Sequence, residues 1–166
     1  MNESFKTRLM RWGFNLIPAY RRTGARITYI AGDLHEVHVK LPLNWKTRNY
    51  VGTIFGGSMY AAVDPIYMVM FIKLLGPQYI VWDKAATIQF KRPGWSTLKA
   101  RIKVEDQELE AIRKELEGKS ALDRVYRIEL LDEEGTLCAL IEKTIYFRRK
   151  DESKSQDSVS VSPIGV

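Results

Sequence analysis

The sequence predicts an α+β fold in which a curved antiparallel sheet of about six strands wraps around one central apolar helix. The length of 166 residues suits a single domain of ordinary size. The segment Ile54–Leu75 is apolar almost throughout, as expected of a helix that is buried on every side. Around Leu98–Val104, apolar residues alternate with polar ones, which is the pattern of a strand with one buried face. The strands are not separated by long helices, which argues against a parallel doubly wound sheet.

The first predicted element is an amphipathic helix over Glu3–Arg22 with a stop signal at Pro18. Its apolar residues recur at helical spacing: Phe5, Leu9, Trp12 and Leu16. Such a helix packs on the flank of the domain or in a dimer groove, or it anchors the protein to a membrane surface. The sequence leaves these alternatives open.

The first half of the sheet and the central helix come next. Two strands are predicted at Ala25–Ala31 and Leu34–Leu41, joined by a two-residue turn at Gly32-Asp33. A loop over Pro42–Tyr50 then leads to the apolar helix, which Gly76-Pro77 ends.

The second half of the chain is mostly strand. Strands are predicted at Tyr79–Arg92, Thr97–Val104, Leu122–Leu131 and Thr136–Arg148. A charged helix, Asp106–Gly118, is predicted between the middle two, capped by Asp106 and closed by Gly118. The predicted organisation is an N-terminal helix at 1–23, one domain at 24–149 and a flexible tail at 150–166, which is rich in serine and charge.

The charge and the cysteine and histidine content argue against several classes of function. The net charge is +6, but the basic residues are interleaved with acids and no helix-turn-helix is present, so no nucleic-acid partner is expected. The single cysteine, Cys138, excludes an internal disulfide and a Cys-rich metal site. His35 and His38 are expected on opposite faces of a strand, where they cannot share a metal ion. No metal and no cofactor are predicted.

The cellular location is predicted to be the cytoplasm. The first residues lack a basic segment followed by an apolar run, so no secretory signal is expected. The stretch Thr53–Ile72 is long enough to cross a bilayer, but Asp64-Pro65 in its middle makes a membrane span unfavourable.

Two adjacent glycines at the start of the central helix form the first candidate site. Gly56-Gly57 lets another group approach the backbone closely, and the first helical turn has free N–H groups and a partial positive charge. This arrangement suits a developing oxyanion on an acyl carbonyl. The alternative is that the glycines only permit tight packing of the helix on the sheet.

Asp64 is the second candidate, because it is the only charged residue in Thr53–Ile72. Burial in apolar surroundings is expected to raise its pKa and strengthen it as a base. Helical spacing is expected to place Gly57, Tyr60, Tyr67 and Met68 on the same face. The alternative role is structural, at a helix kink made by Pro65.

The motif around these residues resembles the signature of hotdog-fold thioesterases of the phenylacetate-pathway type. Asn49, Gly52, Phe55, Gly56 and Gly57 follow its spacing, with Asp64 nine residues after Phe55. The resemblance extends over about Ala25–Arg149 and includes Phe90–Pro93 and the Asp132–Ala139 segment. It is strongest to a bacterial branch of uncharacterised hotdog proteins with Phe-Gly-Gly where the thioesterases have His-Gly-Gly.

The resemblance implies a role for each matched residue. The amide of Gly57 would polarise the thioester carbonyl, Asp64 would act as nucleophile or as base toward water, and Asn49 would hold the carbonyl or the catalytic water. Phe55 replaces the histidine and can neither donate a hydrogen bond nor shuttle a proton. The expected substrate-binding residues are Phe55, Gly56, Ser58, Tyr60, Tyr67, Met68 and Arg92.

Two functions therefore stay open at the level of sequence. One is hydrolysis of an acyl-CoA-like thioester, and the other is binding of an acyl or lipid ligand without turnover. The basic residues at strand ends are expected either to meet nucleotide phosphates or to form a solvated rim: Lys91, Arg92, Arg148 and Arg149. A homodimer, or a tetramer formed by two dimers, is expected because the resemblance implies a site between two protomers and because open sheet edges are avoided.

Overall fold

The structure, a computed structural model, describes residues 2–150. The helices are α1 (Phe5–Leu16), α2 (Pro18–Arg22), α3 (Gly56–Val63), α4 (Ile66–Leu75) and α5 (Asp106–Gly118). The strands are β1 (Arg26–Ile30), β2 (Glu36–Leu41), β3 (Tyr79–Phe90), β4 (Leu98–Lys103), β5 (Leu122–Leu131) and β6 (Leu137–Arg149). The predicted tail lies outside the described residues apart from Lys150.

All six strands form one antiparallel sheet in the order β1-β2-β4-β5-β6-β3. The sheet curves around α3 and α4, and the predicted α+β hotdog architecture is confirmed. The core lies between the inner face of the sheet and these helices. Its largest fully buried side chains include Phe71 from α4, Phe147 from β6 and Leu130 from β5.

The two edges of the sheet differ in whether another element covers them. At the β1 edge, the Asn15 side-chain amide donates to the Ile27 carbonyl at 2.8 Å and accepts from the Ile27 amide at 2.9 Å, so α1 covers this edge. The other edge, β3, has a largely exposed run from Lys84 to Phe90 that no described element covers. An uncovered edge of this length is a template for pairing with another strand.

The N-terminal helix differs from the prediction in where it breaks, and its exposed apolar face leaves the dimer groove and the membrane surface open as alternatives. It breaks at Ile17, and Pro18 begins the short helix α2 instead of simply ending α1, since proline suits the first position of a helix. The apolar side chains of the predicted face point outward: Phe5, Leu9, Trp12 and Leu16 are 82, 66, 63 and 63% exposed. The helix packs on the domain through its opposite side, where Met10 and Phe14 contact the core.

The predicted helix Ile54–Leu75 begins at Gly56 and is interrupted at Asp64-Pro65. The interruption follows from the proline, which has no N–H to continue the ladder of helical hydrogen bonds. By length and composition alone, Gly56–Leu75 is the one stretch of the described chain that could cross a membrane, with a mean hydropathy of 1.4. In the fold it packs against the sheet.

Two local predictions were wrong. The β1–β2 connection is not a two-residue turn, because β1 ends at Ile30 and β2 begins at Glu36, with Leu34 at a positive φ of 67° between them. The N-cap of α5 is Glu105, and Asp106 is the first residue of the helix. Gly118 is its last residue. Both errors are local shifts of a boundary that leave the topology unchanged.

Candidate functional site

The first turn of α3 presents two glycine amides. Phe55 is the N-cap and makes no side-chain capping bond, and within residues 2–150 no group accepts a hydrogen bond from the Gly56 or Gly57 amide. The Phe55 amide itself donates to the Thr47 carbonyl at 2.7 Å, and the Ile54 amide to the Gly94 carbonyl at 2.9 Å. These bonds fix the entry to the helix and leave its two glycine N–H groups free for a ligand oxygen.

Two aromatic rings lie against these glycines. A Cβ on Gly56 would come within 2.8 Å of the Phe90 ring, and a Cβ on Gly57 within 2.4 Å of the Phe55 ring. Phe55 and Phe90 are themselves 57 and 58% exposed. A larger residue at either position would displace one of these rings, so the glycines permit this close packing.

Asn49 organises the loop before α3. Its side-chain oxygen accepts from the amides of Val51 and Thr53 at 3.1 and 3.0 Å, and its side-chain nitrogen donates to the Thr53 hydroxyl at 2.8 Å. The amide group is thus engaged in holding the loop in place. In this conformation it offers little hydrogen-bonding capacity to a substrate or a water molecule.

Asp64 belongs to a charged cluster with two residues that the sequence did not single out, Lys143 and Asp83. The Lys143 ammonium donates to Asp64 Oδ1 at 2.8 Å, to Asp83 Oδ2 at 2.8 Å and to the Asp64 backbone carbonyl. These three bonds use all three ammonium protons. The Lys143 side chain is fully buried, whereas that of Asp64 is 42% exposed, so the cluster opens to solvent on the Asp64 side.

The sheet register explains how these side chains meet. Lys143 lies on the inner face of β6, in line with Ile141 and Ile145, which are both fully buried. The β3–β6 pairing is shifted between Asp83 and Ala85, which marks a β-bulge at Lys84. A bulge re-aims the side chains around it and lets Asp83 point inward toward the lysine.

The environment of the cluster shifts the pKa values of its two carboxyl groups in opposite directions. Partial burial by itself raises the pKa of Asp64, but the hydrogen bonds from Lys143 and Tyr60 and the lysine's charge together hold the pKa below its ordinary value. Burial raises the pKa of Asp83, and the charge of Asp64 raises it further against the pull of Lys143. The expectation of a raised pKa at Asp64 is therefore wrong, because it did not take account of the hydrogen bonds and charge that Lys143 supplies. Asp64 is a carboxylate at neutral pH.

Of the aromatic residues expected beside Asp64, the structure brings Tyr60 to it. The Tyr60 ring lies 5.7 Å from the Lys143 ammonium, and burial together with the interaction with Asp64 raises the pKa of its hydroxyl. Tyr67 instead packs in the core, with its ring centroid 4.9 Å from that of Tyr126, and burial raises the pKa of its hydroxyl to about 12. Met68 is partly buried against the same core.

The remaining predicted residues lie away from the cluster or bind nothing in the described chain. Ser58 is partly exposed on α3, and Arg92 is exposed beyond the end of β3, where its backbone amide donates to the Cys138 carbonyl. An apolar cavity lies under α1 and is lined by Met10, Phe14, Ile66 and Met70, among others; Tyr60, Tyr67 and Met68 do not line it.

The two glycine amides and the Asp64 carboxylate stand at opposite ends of α3. Gly57 and Asp64 are seven residues apart, which corresponds to about 10 Å along a helix axis. One carbonyl group cannot contact both groups of the same protomer at hydrogen-bonding distance.

Lys143 and Asp83 had a signal in the sequence. Along β6, residues 139, 141, 145 and 147 are apolar and inward-facing, and Lys143 interrupts this alternation. A lysine on an inward position requires a buried counter-charge, and the lone carboxylate of the central helix is the natural candidate. Asp83, two residues after the buried Val81, gives the same signal on β3.

The structure offers no site for a metal ion within residues 2–150: no group of three or more His, Cys, Asp or Glu side chains is close enough to hold one. The histidines make separate contacts. His35 Nδ1 lies 2.6 Å from the Val104 carbonyl oxygen, and His38 Nε2 lies 2.5 Å from Glu36 Oε1.

Comparison with known proteins gives one family and a shared fold. The model of a family described as a domain of unknown function, DUF4442, matches residues 6–147. No curated protein sequence matches this chain.

Several solved structures are similar. One is a Pseudomonas aeruginosa protein of unknown function, PA5026, described as a probable thioesterase, with 16% identity, a TM-score of 0.79 and coverage of 90% of this chain and 100% of that one. Another is the Haemophilus influenzae thioesterase HI1161, with 17% identity, a TM-score of 0.65 and coverage of 89 and 94%. The Escherichia coli PaaI protein, from the phenylacetic acid degradation operon, has 19% identity, a TM-score of 0.59 and coverage of 87 and 93%. At these identities the likeness establishes the fold.

Proposed function

The chain belongs to the DUF4442 family, and from this premise we propose that it is a cytoplasmic hotdog hydrolase that cleaves an acyl-CoA-like thioester. The observation that supports this most directly is the partly exposed Asp64 carboxylate, kept ionised by a buried lysine in a fold shared with proteins named as thioesterases. The resemblance of the Phe-Gly-Gly motif to the thioesterase signature points the same way.

The proposed reaction uses the two ends of α3. The thioester carbonyl oxygen accepts hydrogen bonds from the free amides at Gly56-Gly57, where the helix dipole stabilises the negative charge that develops on it. Asp64 takes a proton from water as the water oxygen attacks the carbonyl carbon. The C–S bond then breaks and the sulfur leaves with its electron pair. The thiolate takes up the proton that Asp64 removed from the water, which restores the Asp64 carboxylate, and the products are a carboxylic acid and a thiol.

The proposed active unit is a homodimer. Because the amides and the carboxylate of one protomer lie about 10 Å apart along the helix, a complete site would combine Gly57 of one protomer with Asp64 of another. The uncovered β3 edge supports this assembly, since pairing of two β3 strands would continue the sheet and bring the two central helices together. The exposed rings of Phe90, at the end of β3, and of Phe55, beside it at Gly56-Gly57, would then be covered.

A second function, acyl-thioester binding without turnover, is favoured by two observations. Phe55 stands where the thioesterases it resembles have histidine, and it supplies no proton. The Asn49 side chain is engaged by its own loop. A site that binds the acyl group but lacks these polar contributions would lose orders of magnitude in rate.

The deciding experiment compares Asp64→Asn with wild type on a panel of acyl-CoA esters while free thiol is followed. Asp64→Asn keeps the shape of the side chain and removes its charge, so we expect hydrolysis to fall at least about 100-fold while ligand binding, measured by calorimetry, is retained. Asp106→Asn is the matched control, because the Asp106 side chain is 84% exposed at the start of α5, outside the site and the β3 edge. Equal rates for Asp64→Asn and wild type would remove Asp64 from the mechanism.

Phe55→His distinguishes the two functions. If the scaffold is catalytically competent, a histidine beside Gly56-Gly57 raises turnover, because it restores a group that can donate a hydrogen bond. If wild type binds acyl-CoA without cleaving it and Phe55→His is equally inactive while folded, the non-catalytic function replaces the hydrolase.

A further inference from the structure

Helix α1 has two apolar sides, and the fold uses one of them. The inner side packs on the domain through Met10 and Phe14, with Thr7 buried between the helix and the sheet. The outer side presents a continuous stripe, called here the outer stripe, of four side chains at positions i, i+4, i+7 and i+11: Phe5, Leu9, Trp12 and Leu16. Each of the four side chains is at least 63% exposed, so each contributes little to the packing of the described fold.

The charges around the outer stripe have one sign. Residues 5–26 contain six cationic side chains and no acidic one: Lys6, Arg8, Arg11, Arg21, Arg22 and Arg26. Arg11 and Arg8 are drawn to Glu3, at 2.8 and 3.7 Å. The other four are exposed and form no ion pair with the described residues.

These charges argue against a second copy of the chain as the occupant of the outer stripe. A two-fold symmetric contact places the same patch of each protomer against itself. Each protomer would bring the four unpaired cations of residues 5–26 to the contact, with Glu3 already engaged by Arg8 and Arg11, and like-charge repulsion disfavours this arrangement. The covering surface must instead be apolar along the stripe and negatively charged around it.

We propose that the outer stripe docks the protein on an anionic lipid bilayer. A helix that lies in the membrane interface has Trp, Phe and Leu on its apolar face and Lys or Arg on its polar side, and it binds anionic lipids most strongly. With 12 residues, α1 is about 18 Å long and places all four apolar side chains at one depth. The four unpaired cations then meet the lipid phosphates. This proposal is independent of the hydrolase assignment.

Vesicle flotation of the full chain tests it. We expect the protein to float with vesicles of equal parts phosphatidylcholine and phosphatidylglycerol, to float poorly with phosphatidylcholine alone, and to be released as added salt screens the lipid charge. The double variant Leu9→Gln/Trp12→Gln should lower the bound fraction at least about tenfold, since it removes half of the buried apolar anchor. Val125→Gln is the control, because Val125 is 61% exposed on β5, away from α1.

Each other outcome overturns the proposal. No flotation with anionic vesicles would do so, as would equal flotation of wild type and Leu9→Gln/Trp12→Gln. If light scattering shows that the double variant reduces the oligomeric state in the absence of lipid, the outer stripe is a contact between copies of the chain. Urea unfolding of each variant verifies that these exposed substitutions leave the fold intact.

Discussion

Lys143→Met should be among the most destabilising single substitutions in this chain, and its effect should depend on pH. Methionine nearly matches the length of the lysine stem and removes the ammonium group. That group is fully buried and lies 2.8 Å from a carboxylate oxygen of both Asp64 and Asp83. Without it, two carboxyl groups face each other with no cation between them.

The magnitude follows from this geometry. At 2.8 Å and an effective dielectric constant of about 20, each carboxylate attracts the ammonium by roughly 6 kcal/mol, and the cost of burying the lysine offsets a large part of the sum. Removing one partner of a buried ion pair typically costs about 3–5 kcal/mol. Since domains are stabilised by only about 5–15 kcal/mol in total, the variant should be marginally folded at neutral pH.

Urea unfolding followed by circular dichroism measures this loss in the free energy of unfolding, and urea adds no salt that would screen the charges. In Lys143→Met, both carboxyl pKa values should lie above their ordinary range, so the folded variant binds protons more readily than its unfolded chain. Its stability is then greatest at low pH and is lost as the pH rises through those folded-state pKa values. The difference from wild type should therefore be smaller at pH 4 than at pH 7.

Adding Asp64→Asn and Asp83→Asn to Lys143→Met should recover most of the lost stability, because a neutral set replaces the ionic one. A loss below about 1 kcal/mol for the single variant, or a triple variant no more stable than Lys143→Met, would refute this account of the cluster.

Two further predictions concern stability. Asp64→Asn should lower the free energy of unfolding at pH 7. A carboxyl group whose pKa is lower in the folded than in the unfolded state stabilises the fold above its unfolded pKa. The difference in stability between wild type and Asp64→Asn should therefore disappear as the pH falls through the folded pKa. Asp83→Asn should lower the free energy of unfolding by less than Asp64→Asn at pH 7. This substitution also takes a carboxylate from the buried Lys143 ammonium, but burial holds the Asp83 pKa above its ordinary value, so the Asp83 carboxylate contributes less to stability; urea unfolding of the two variants at pH 7 compares the losses. Gly24→Ala should cost more than Gly135→Ala in the same assay. Both glycines have φ near +84°, but a Cβ at Gly24 would lie 2.2 Å from the buried Thr47 methyl, whereas the space around Gly135 is open.

The strands and the central helix could be predicted because their signals are local. Alternation of apolar and polar side chains identifies a half-buried strand, and an apolar run longer than a strand identifies a buried helix. The same signals misplace boundaries where one residue decides, as at Pro65, which interrupts the helix, and at Leu34, whose positive φ lengthens the first hairpin connection.

The charged cluster could not be predicted in the same way, because it depends on three elements distant in sequence. Asp64, Asp83 and Lys143 come from α3, β3 and β6, and Asp83 is aimed inward next to a β-bulge that leaves no mark in the hydrophobic pattern. Periodicity also identified the outer stripe of α1 without indicating that it faces solvent, because Met10 and Phe14 give the helix a second apolar side.

The contact of Lys143 with Asp64 also affects how much the proposed reaction is slowed by having Phe55 in place of a histidine. A lowered pKa makes Asp64 a weaker base, but it keeps the carboxylate ionised throughout the neutral range. The leaving group of a thioester is a thiolate, whose conjugate thiol has an ordinary pKa of about 8.5, so it departs with far less need of a proton donor than an alkoxide or an amine. A thioester is therefore the acyl substrate for which replacing the histidine with Phe55 costs least, provided that the amides of Gly56-Gly57 still stabilise the oxyanion.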